Sequence, residues 1–248
     1  MIQLDAIRPK NATELAILEV RKLRKFFYLH EREKKIQAFV DLSFSVNHGE
    51  LLAITGPSGI GKSSILKCIY RSYLSDGGEV WYHHNGTRID LLQCSDHEMV
   101  WLRQGEIGYV TQFLHCLPRK SALSVVAFPL LQMGESVAQA EAKAAEMLNK
   151  FNLPEHLWDV SPHTFSGGEK QRVNLARGFV CEPKLLLVDE PTASLDPVTR
   201  DIVVNNIIEL KRRGTTVVGV FHDPEIVERI ADREFKLVSN AHGGALLA

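Results

Sequence analysis

The sequence predicts an α/β fold, and three observations carry that prediction. An apolar strand pattern, Leu51–Thr55, runs into a glycine-rich loop and then into a helical pattern, SSILKCIYRSYL. Between 167 and 238, helix and strand patterns alternate, which at this spacing means a parallel sheet flanked by helices. Separating the two regions is a helical stretch rich in alanine and charge and poor in β-branched residues.

Taken in order, residues 1–17 precede the first strand pattern and read as a loosely held extension. LEVRKLRKFFYLH, from Leu18, and IQAFVDLSFSVNHGELLAIT, ending at Thr55, read as two or three strands, with the charged stretch 31–35 as a solvated hairpin loop. In the helix after the glycine-rich loop, Ile65, Leu66, Ile69 and Tyr70 share one face. GGEVWYHHNGTRIDLL reads as a hairpin turning at Asn85-Gly86, a dipeptide that tolerates the positive φ such turns need. His83 and His84, adjacent on a strand, point to opposite faces and are expected to be exposed hairpin residues. A helical subdomain is expected over about 113–165, and within it VAQAEAKAAEMLNKF is expected to bury Ala138, Ala142, Ala145, Leu148 and Phe151. Next come helix Gly167–Phe179, strand Leu185–Asp189, helix Pro197–Arg212, strand 216–221, helix 224–231 and strand 234–238. Residues 18–240 thus read as one domain, and the tail 241–248 is expected to fray.

Composition narrows the function classes. At 248 residues and 45% hydrophobic, the chain is long enough for a substantial core in one large domain. Lysine plus arginine (29) nearly balance aspartate plus glutamate (30), so no global charge draws the protein to nucleic acid or an acidic membrane. No apolar run approaches the roughly 18 residues of a spanning helix, and MIQLDAIRPKNATEL lacks a secretory signal pattern, so a soluble, cytoplasmic protein is expected. Cys68, Cys94, Cys116 and Cys181 stand far apart without a C-x-x-C, which argues against a disulfide framework or structural metal; buried, reduced thiols are expected.

GPSGIGKSS contains the pattern G-x-x-x-x-G-K-[ST] between a strand and a helix, the context that gives it meaning. Gly56, Pro57, Ser58, Gly59, Ile60, Gly61, Lys62, Ser63 and Ser64 are therefore candidate nucleotide-binding residues. Backbone N–H groups freed by the glycines curl around the β-phosphate, Lys62 brings a point charge to the β and γ oxygens, and the Ser63 hydroxyl ligates Mg²⁺. LLLVDE puts Asp189 and Glu190 at the end of a buried strand, where open α/β sheets bind ligands. Asp189 is the candidate Mg²⁺ holder, with Ser63 and Gln112, and Glu190 the candidate general base. Gln112 and His222 are suited to sense or orient the γ-phosphate and the attacking water. Alone, Gln112 also reads as a surface amide and His222 as a satisfied strand-end histidine.

FSGGEKQR places Ser166, Gly167 and Gly168 at a helix N-terminus, an anion-binding nest with no phosphate of its own. Glu169 three residues after Ser166 also completes a capping box, and the two readings are compatible.

In order, GPSGIGKSS, Gln112, FSGGEKQRVNLARG, LLLVDEPTASLDP and FHD resemble the Walker A, Q-loop, signature, Walker B, D-loop and switch-histidine motifs of ABC-type ATPases, over about residues 18–238. FSGGE stands where that family usually has LSGGQ; Ile60, Ser64 and Phe165 are mild departures. The resemblance implies an α/β P-loop ABC ATPase fold: a mixed sheet core, an antiparallel β subdomain and the inserted helical subdomain. It implies ATP and Mg²⁺ as cofactors. It further implies that Ser166, Gly167, Gly168, Glu169 and Asp196 of SLD act on ATP held by an opposing, head-to-tail ABC half-site, either a second copy or a related subunit. By the same resemblance an aromatic near the chain start stacks on adenine; Phe27 fits best, Tyr28 is the alternative, and a core-facing ring is the plain reading.

Text outside those motifs bears on the partner. TQFLHCLPRKSALSVVAFPLL and FNLPEHLWDVSPHTFSGGEKQRVNLARGF resemble the ATP-binding L subunits of bacterial carbon-phosphorus lyase systems. That resemblance implies soluble carbon-phosphorus lyase core subunits as partners, and a part in joining a phosphonate to the ribose of ATP. Two alternatives stand beside it: the ATPase of a lipoprotein-release or macrolide-export transporter, whose permease inserts a short helix into a groove beside Gln112, and a non-hydrolysing assembly scaffold.

Overall fold

The computed structural model describes residues 16–29, 34–193, 195–239 and 245–247. The expected N-terminal extension up to residue 15, most of the charged loop 31–35, and Ser194 lie outside the described residues.

The N-terminal text folds as long antiparallel strands. β1 (Ala16–Leu29) pairs with β2 (Lys34–Asn47) on one side and β4 (Gly77–His84) on the other, and β4 turns back into β5 (Thr87–Asp90). Asn85 and Gly86 sit at φ 46° and 77°, the two positive values this two-residue hairpin turn requires.

β3 (Leu51–Thr55), β6 (Ile107–Val110), β7 (Leu185–Asp189), β8 (Thr216–Val220) and β9 (Arg233–Ser239) form the parallel part. Among the described residues the sheet order is β5-β4-β1-β2-β10-β9-β3-β8-β7-β6, where β10 is Ala245–Leu247. The sheet is mixed, as expected.

Both faces of the parallel strands are covered, and β7 divides its side chains between them. Leu185 and Leu187 join the core shared with β1, β2 and α1 (Lys62–Ile69); Leu186 and Val188 join a second core on the opposite face. This period of two is why LLLV is apolar throughout: a strand buried on both faces has no polar side to show. The second core holds α3 (Ala122–Gln132), α4 (Val137–Lys150), α5 (Gly167–Phe179), α6 (Pro197–Arg212) and α7 (Pro224–Ile230). Phe151 and Phe179, both fully buried with ring centroids 5.7 Å apart, join the end of α4 to α5. Burial of each such ring is worth roughly 1.5–3 kcal/mol.

The fold corrects several expectations. The buried face is Ala140, Ala144, Leu148 and, just past the end of α4, Phe151; Ala138 and Ala142 face solvent and Ala145 is half-buried, because α3 and α5 approach from a side rotated by about a quarter turn from the one expected. His83 and His84 do point to opposite faces, yet both are half-buried: His83 lies 3.5 Å from Glu19 and His84 Nδ1 lies 3.1 Å from Glu106 Oε2. Cys68 is buried, whereas Cys94, Cys116 and Cys181 are only half-buried; all four are free thiols. Within the tail expected to fray, Ala245–Leu247 pairs with β9 and with β2. Strand β8 stops at Val220 and α7 at Ile230, one residue short in each case. Neither α2 (Asp96–Arg103), opened by a Ser95/Glu98 capping box, nor the short strand β6 was anticipated.

Candidate functional site

The loop after β3 is shaped by its glycines. Gly56 lies at φ 136°, and a Cβ there would stand 2.6 Å from the Leu237 carbonyl oxygen, so only glycine fits between the loop and β9. Gly61, at φ 107°, reverses the chain into α1. Lys62 Nζ donates to the carbonyls of Gly56 (2.8 Å) and Pro57 (2.9 Å), so the lysine braces the loop from inside. Burial lowers its pKa, against the opposing pull of Glu190 and Asp189. Ile60 is buried in the adjoining core.

Strand β7 delivers the two acids to the same place. Ser63 Oγ donates to Asp189 Oδ1 at 2.7 Å, and Tyr109 on β6 donates its hydroxyl to Oδ2 at 3.2 Å. Burial raises the Asp189 pKa, while these two hydrogen bonds favour the carboxylate. Burial and the Asp189 charge push the Tyr109 phenol up, which keeps it a donor. Glu190 follows at φ 51°, a left-handed conformation uncommon for a residue with a side chain. Gln112 Nε2 donates to Glu190 Oε2 at 3.1 Å, and His222 Nε2 lies 2.7 Å from Glu190 Oε1. Lys62, Ser63, Gln112, Asp189, Glu190 and His222 therefore meet at the C-terminal ends of the parallel strands, though Lys62 and His222 stand 160 positions apart in sequence.

A hydroxyl and a carboxylate within hydrogen-bond reach at the end of the phosphate-type loop are the hard oxygen donors Mg²⁺ prefers, and the donor set fits that ion. When bound, Mg²⁺ supplies charge neutralisation at the phosphate oxygens.

The signature residues lie elsewhere. Ser166 caps α5, with its reciprocal Glu169 partner in place at 2.8 and 3.4 Å. Gly167 and Gly168 have open space around their Cα atoms, leaving the first turn of α5 accessible. Asp196 caps α6 through Thr199 and pairs with Arg172 of α5 at 3.0 Å, which links the SLD segment to the signature helix. Its carboxyl is held down to about 2, chiefly by the Thr199 hydrogen bonds. Among the described residues, Ser166, Gly167, Gly168, Glu169 and Asp196 form no hydrogen bond or ion pair with the loop at 56–64.

Phe27 is half-buried, edge-on to Tyr73 at 5.6 Å, with the Lys25 ammonium 5.3 Å from its ring centroid. Tyr28, the alternative, is 59% exposed on the opposite face of β1. Sequence reasoning missed Tyr73 and Tyr109. The run IGYV before Gln112 was the available signal for Tyr109; nothing marked Tyr73.

Between β6, α2, α3 and α5 a groove of about 400 Å³ opens, lined among others by Val100, Arg103, Tyr109, Phe128 and Arg177. It starts at Thr111, next to Gln112, and Phe128 at its wall is 57% exposed.

This loop and acid pair on a mixed sheet define a P-loop ATPase, with the capped start of α5 lying apart from the loop. The chain belongs to the ABC transporter family, whose model matches residues 39–193. The family uses ATP with Mg²⁺. The chain is 36% identical over 233 residues to the lipoprotein-releasing system ATP-binding protein LolD of Legionella pneumophila, covering 94% of this chain and 97% of that one. It is 38% identical to LolD of Zymomonas mobilis (93% and 95% covered), and 33% identical to the ABC transporter ATP-binding protein YknY of Bacillus subtilis (86% and 89%). Among solved structures, it resembles the dimeric post-hydrolysis state of the ATP-binding cassette MJ0796 bound to ADP and Pi, with a TM-score of 0.81, 29% identity, and 92% and 96% of the two chains covered.

Proposed function

We propose that this chain is the ATP-hydrolysing subunit of an ABC machine in which two half-sites close over nucleotide. The observation that carries the reading is the Glu190 carboxylate, bracketed by Gln112 at 3.1 Å and His222 at 2.7 Å beside the Ser63–Asp189 pair. In this reading the loop N–H groups and Lys62 hold the phosphates, and Ser63, Asp189 and Gln112 provide the Mg²⁺ ligands. Glu190 takes a proton from the attacking water as its oxygen bonds to the γ-phosphorus and the bond to the ADP oxygen breaks. His222 orients Glu190 and the γ-phosphate. Ser166, Gly167, Gly168, Glu169 and Asp196 serve the nucleotide of the opposing half-site, as the separate position of α5 and the dimeric cassette of similar fold support. Phe27, flanked by Lys25 and Tyr73, lies against the adenine. Glu190→Gln is expected to bind ATP and lose most hydrolysis; turnover near the parent rate would reject Glu190 as the base, and would favour the non-hydrolysing scaffold only if the parent is also inactive.

For the partner, the relatives named as lipoprotein-releasing ATP-binding proteins support a membrane permease, seating a short helix in the groove beside Gln112. They favour this reading over the soluble-enzyme expectation. The soluble reading keeps one observation of its own: TQFLHCLPRKSALSVVAFPLL and FNLPEHLWDV, outside the nucleotide motifs, are the text that resembles carbon-phosphorus lyase L subunits. Under that reading the same groove takes a soluble core subunit, and the chain supports formation of a ribose 1-phosphonate 5-triphosphate whose glycosyl transfer other subunits catalyse. Purification of the tagged chain in mild detergent from cells grown on a phosphonate as sole phosphorus source separates the two. An integral membrane protein in stoichiometric yield supports the permease; soluble phosphonate-utilisation subunits in its place overturn it.

A further inference from the structure

We infer that Tyr109 is a positioning residue for the metal-binding acid: its hydroxyl fixes the Asp189 carboxylate, and its ring ties that setting to the wall of the groove. The carboxylate has two oxygens and two donors on separate elements, Ser63 Oγ at 2.7 Å on Oδ1 and Tyr109 at 3.2 Å on Oδ2. With both oxygens held, the plane of the carboxylate is set before any ion arrives. A partner of this kind orients a metal ligand without touching the metal.

The ring has neighbours of its own. Ile107 and Tyr109 share one face of β6, and the Tyr109 ring packs at 5.0 Å and 53° against Tyr70 at the end of α1. The Arg103 guanidinium of α2 stacks on Tyr70 at 4.4 Å and donates to its carbonyl oxygen at 2.5 Å. Arg103, Tyr70 and Tyr109 all line the groove. A contiguous run of contacts thus leads from the groove wall through two tilted, touching rings to Asp189. These contacts give a change at the groove wall a physical route to the hydroxyl that holds the metal ligand. The groove's part in this rests on the docking reading above; the test below contains no partner, so its failure leaves that reading to its own experiment.

The test uses the full chain in a Glu190→Gln background, so that ATP persists, with Mn²⁺ as the probe ion followed by electron paramagnetic resonance. Tyr109→Phe keeps the ring and its packing and removes only the donor. Expected is about a 10-fold loss of Mn²⁺ affinity in the ATP complex, with fluorescent-ATP binding in EDTA unchanged. Mn²⁺ affinity equal to the parent's would overturn the positioning role. Arg103→Ala, at the groove wall, is expected to weaken Mn²⁺ binding in the Tyr109 parent and to add nothing in Tyr109→Phe, since both act through one hydroxyl. Equal losses in both backgrounds, or none in either, would overturn the link to the groove.

Discussion

His222 Nε2 and Glu190 Oε1 lie 2.7 Å apart, joining the loop after β8 to the end of β7. The opposite oxygen of the same carboxylate accepts from Gln112, so Glu190 is held from two sides while its own backbone sits at φ 51°. A residue in that conformation costs on the order of 1–3 kcal/mol and persists where its surroundings fix it. The proposed base is thus oriented by two strand-end neighbours that the sheet brings together from distant sequence.

Replacing His222 by alanine removes one of those holds and leaves the phosphate loop intact. Expected is a fall in kcat on the order of 10²–10³, with fluorescent-ATP affinity close to the parent's. Single-turnover hydrolysis and equilibrium binding on the same preparation check both halves.

Asp196 gives a pH signature. Its folded-state carboxyl is held down to about 2 against an ordinary 3.8. Above the ordinary value both folded and unfolded chains carry the charge, and the cap contributes fully. As pH falls from 3.8 toward 2, the unfolded chain takes up a proton that the folded chain refuses, so this contribution is lost. The stability difference between the parent and Asp196→Asn, from urea melts, is expected to be flat above about pH 4.5 and to shrink as pH falls below the ordinary carboxyl value.

Phe151→Ala tests the joint between α4 and α5. The ring is fully buried against Phe179, and its removal is expected to cost about 3–5 kcal/mol in urea unfolding. Glu209 and Lys150, which join α4 to α6 across 2.7 Å at the surface, offer a contrast. Lys150→Ala is expected to cost less than about 1 kcal/mol, because an exposed pair is solvated in either state.

Much of this was legible in the sequence because the elements are locally self-consistent. Helices α5 and α6 carry their own caps, Ser166 with Glu169 and Asp196 with Pro197, and their observed bounds match those expected. Strand β7 is apolar on both faces, which only a covered parallel strand requires. The phosphate loop and the acid pair were legible because they sit at a helix start and a strand end that the pattern marks, whereas Gln112 follows β6, a strand the pattern did not mark, and rested on the motif resemblance. What escaped depended on tertiary neighbours. Helix α4 is alanine-rich nearly all round, so periodicity could not say which alanines face α3 and α5. His84 is half-buried because Trp101 comes to it from α2 and Glu106 from the turn before β6. Tyr109 was hidden in a strand of four residues, and its hydroxyl contact with Asp189 is set by strand order, which no local pattern records.

The central claim is that the signature end of α5 completes a nucleotide site on another half-site. Gly168 allows a clean test, because a Cβ there meets nothing within 4 Å and its φ is ordinary, so Gly168→Asp is sterically neutral in the lone chain. In a Glu190→Gln background, sedimentation with saturating ATP is expected to show a two-chain species. Adding Gly168→Asp is expected to return it to a single chain, with ATP still bound, because a carboxylate then faces the opposing γ-phosphate. A Glu190→Gln protein that stays a single chain in ATP, or a dimer indifferent to Gly168→Asp, would contradict the account.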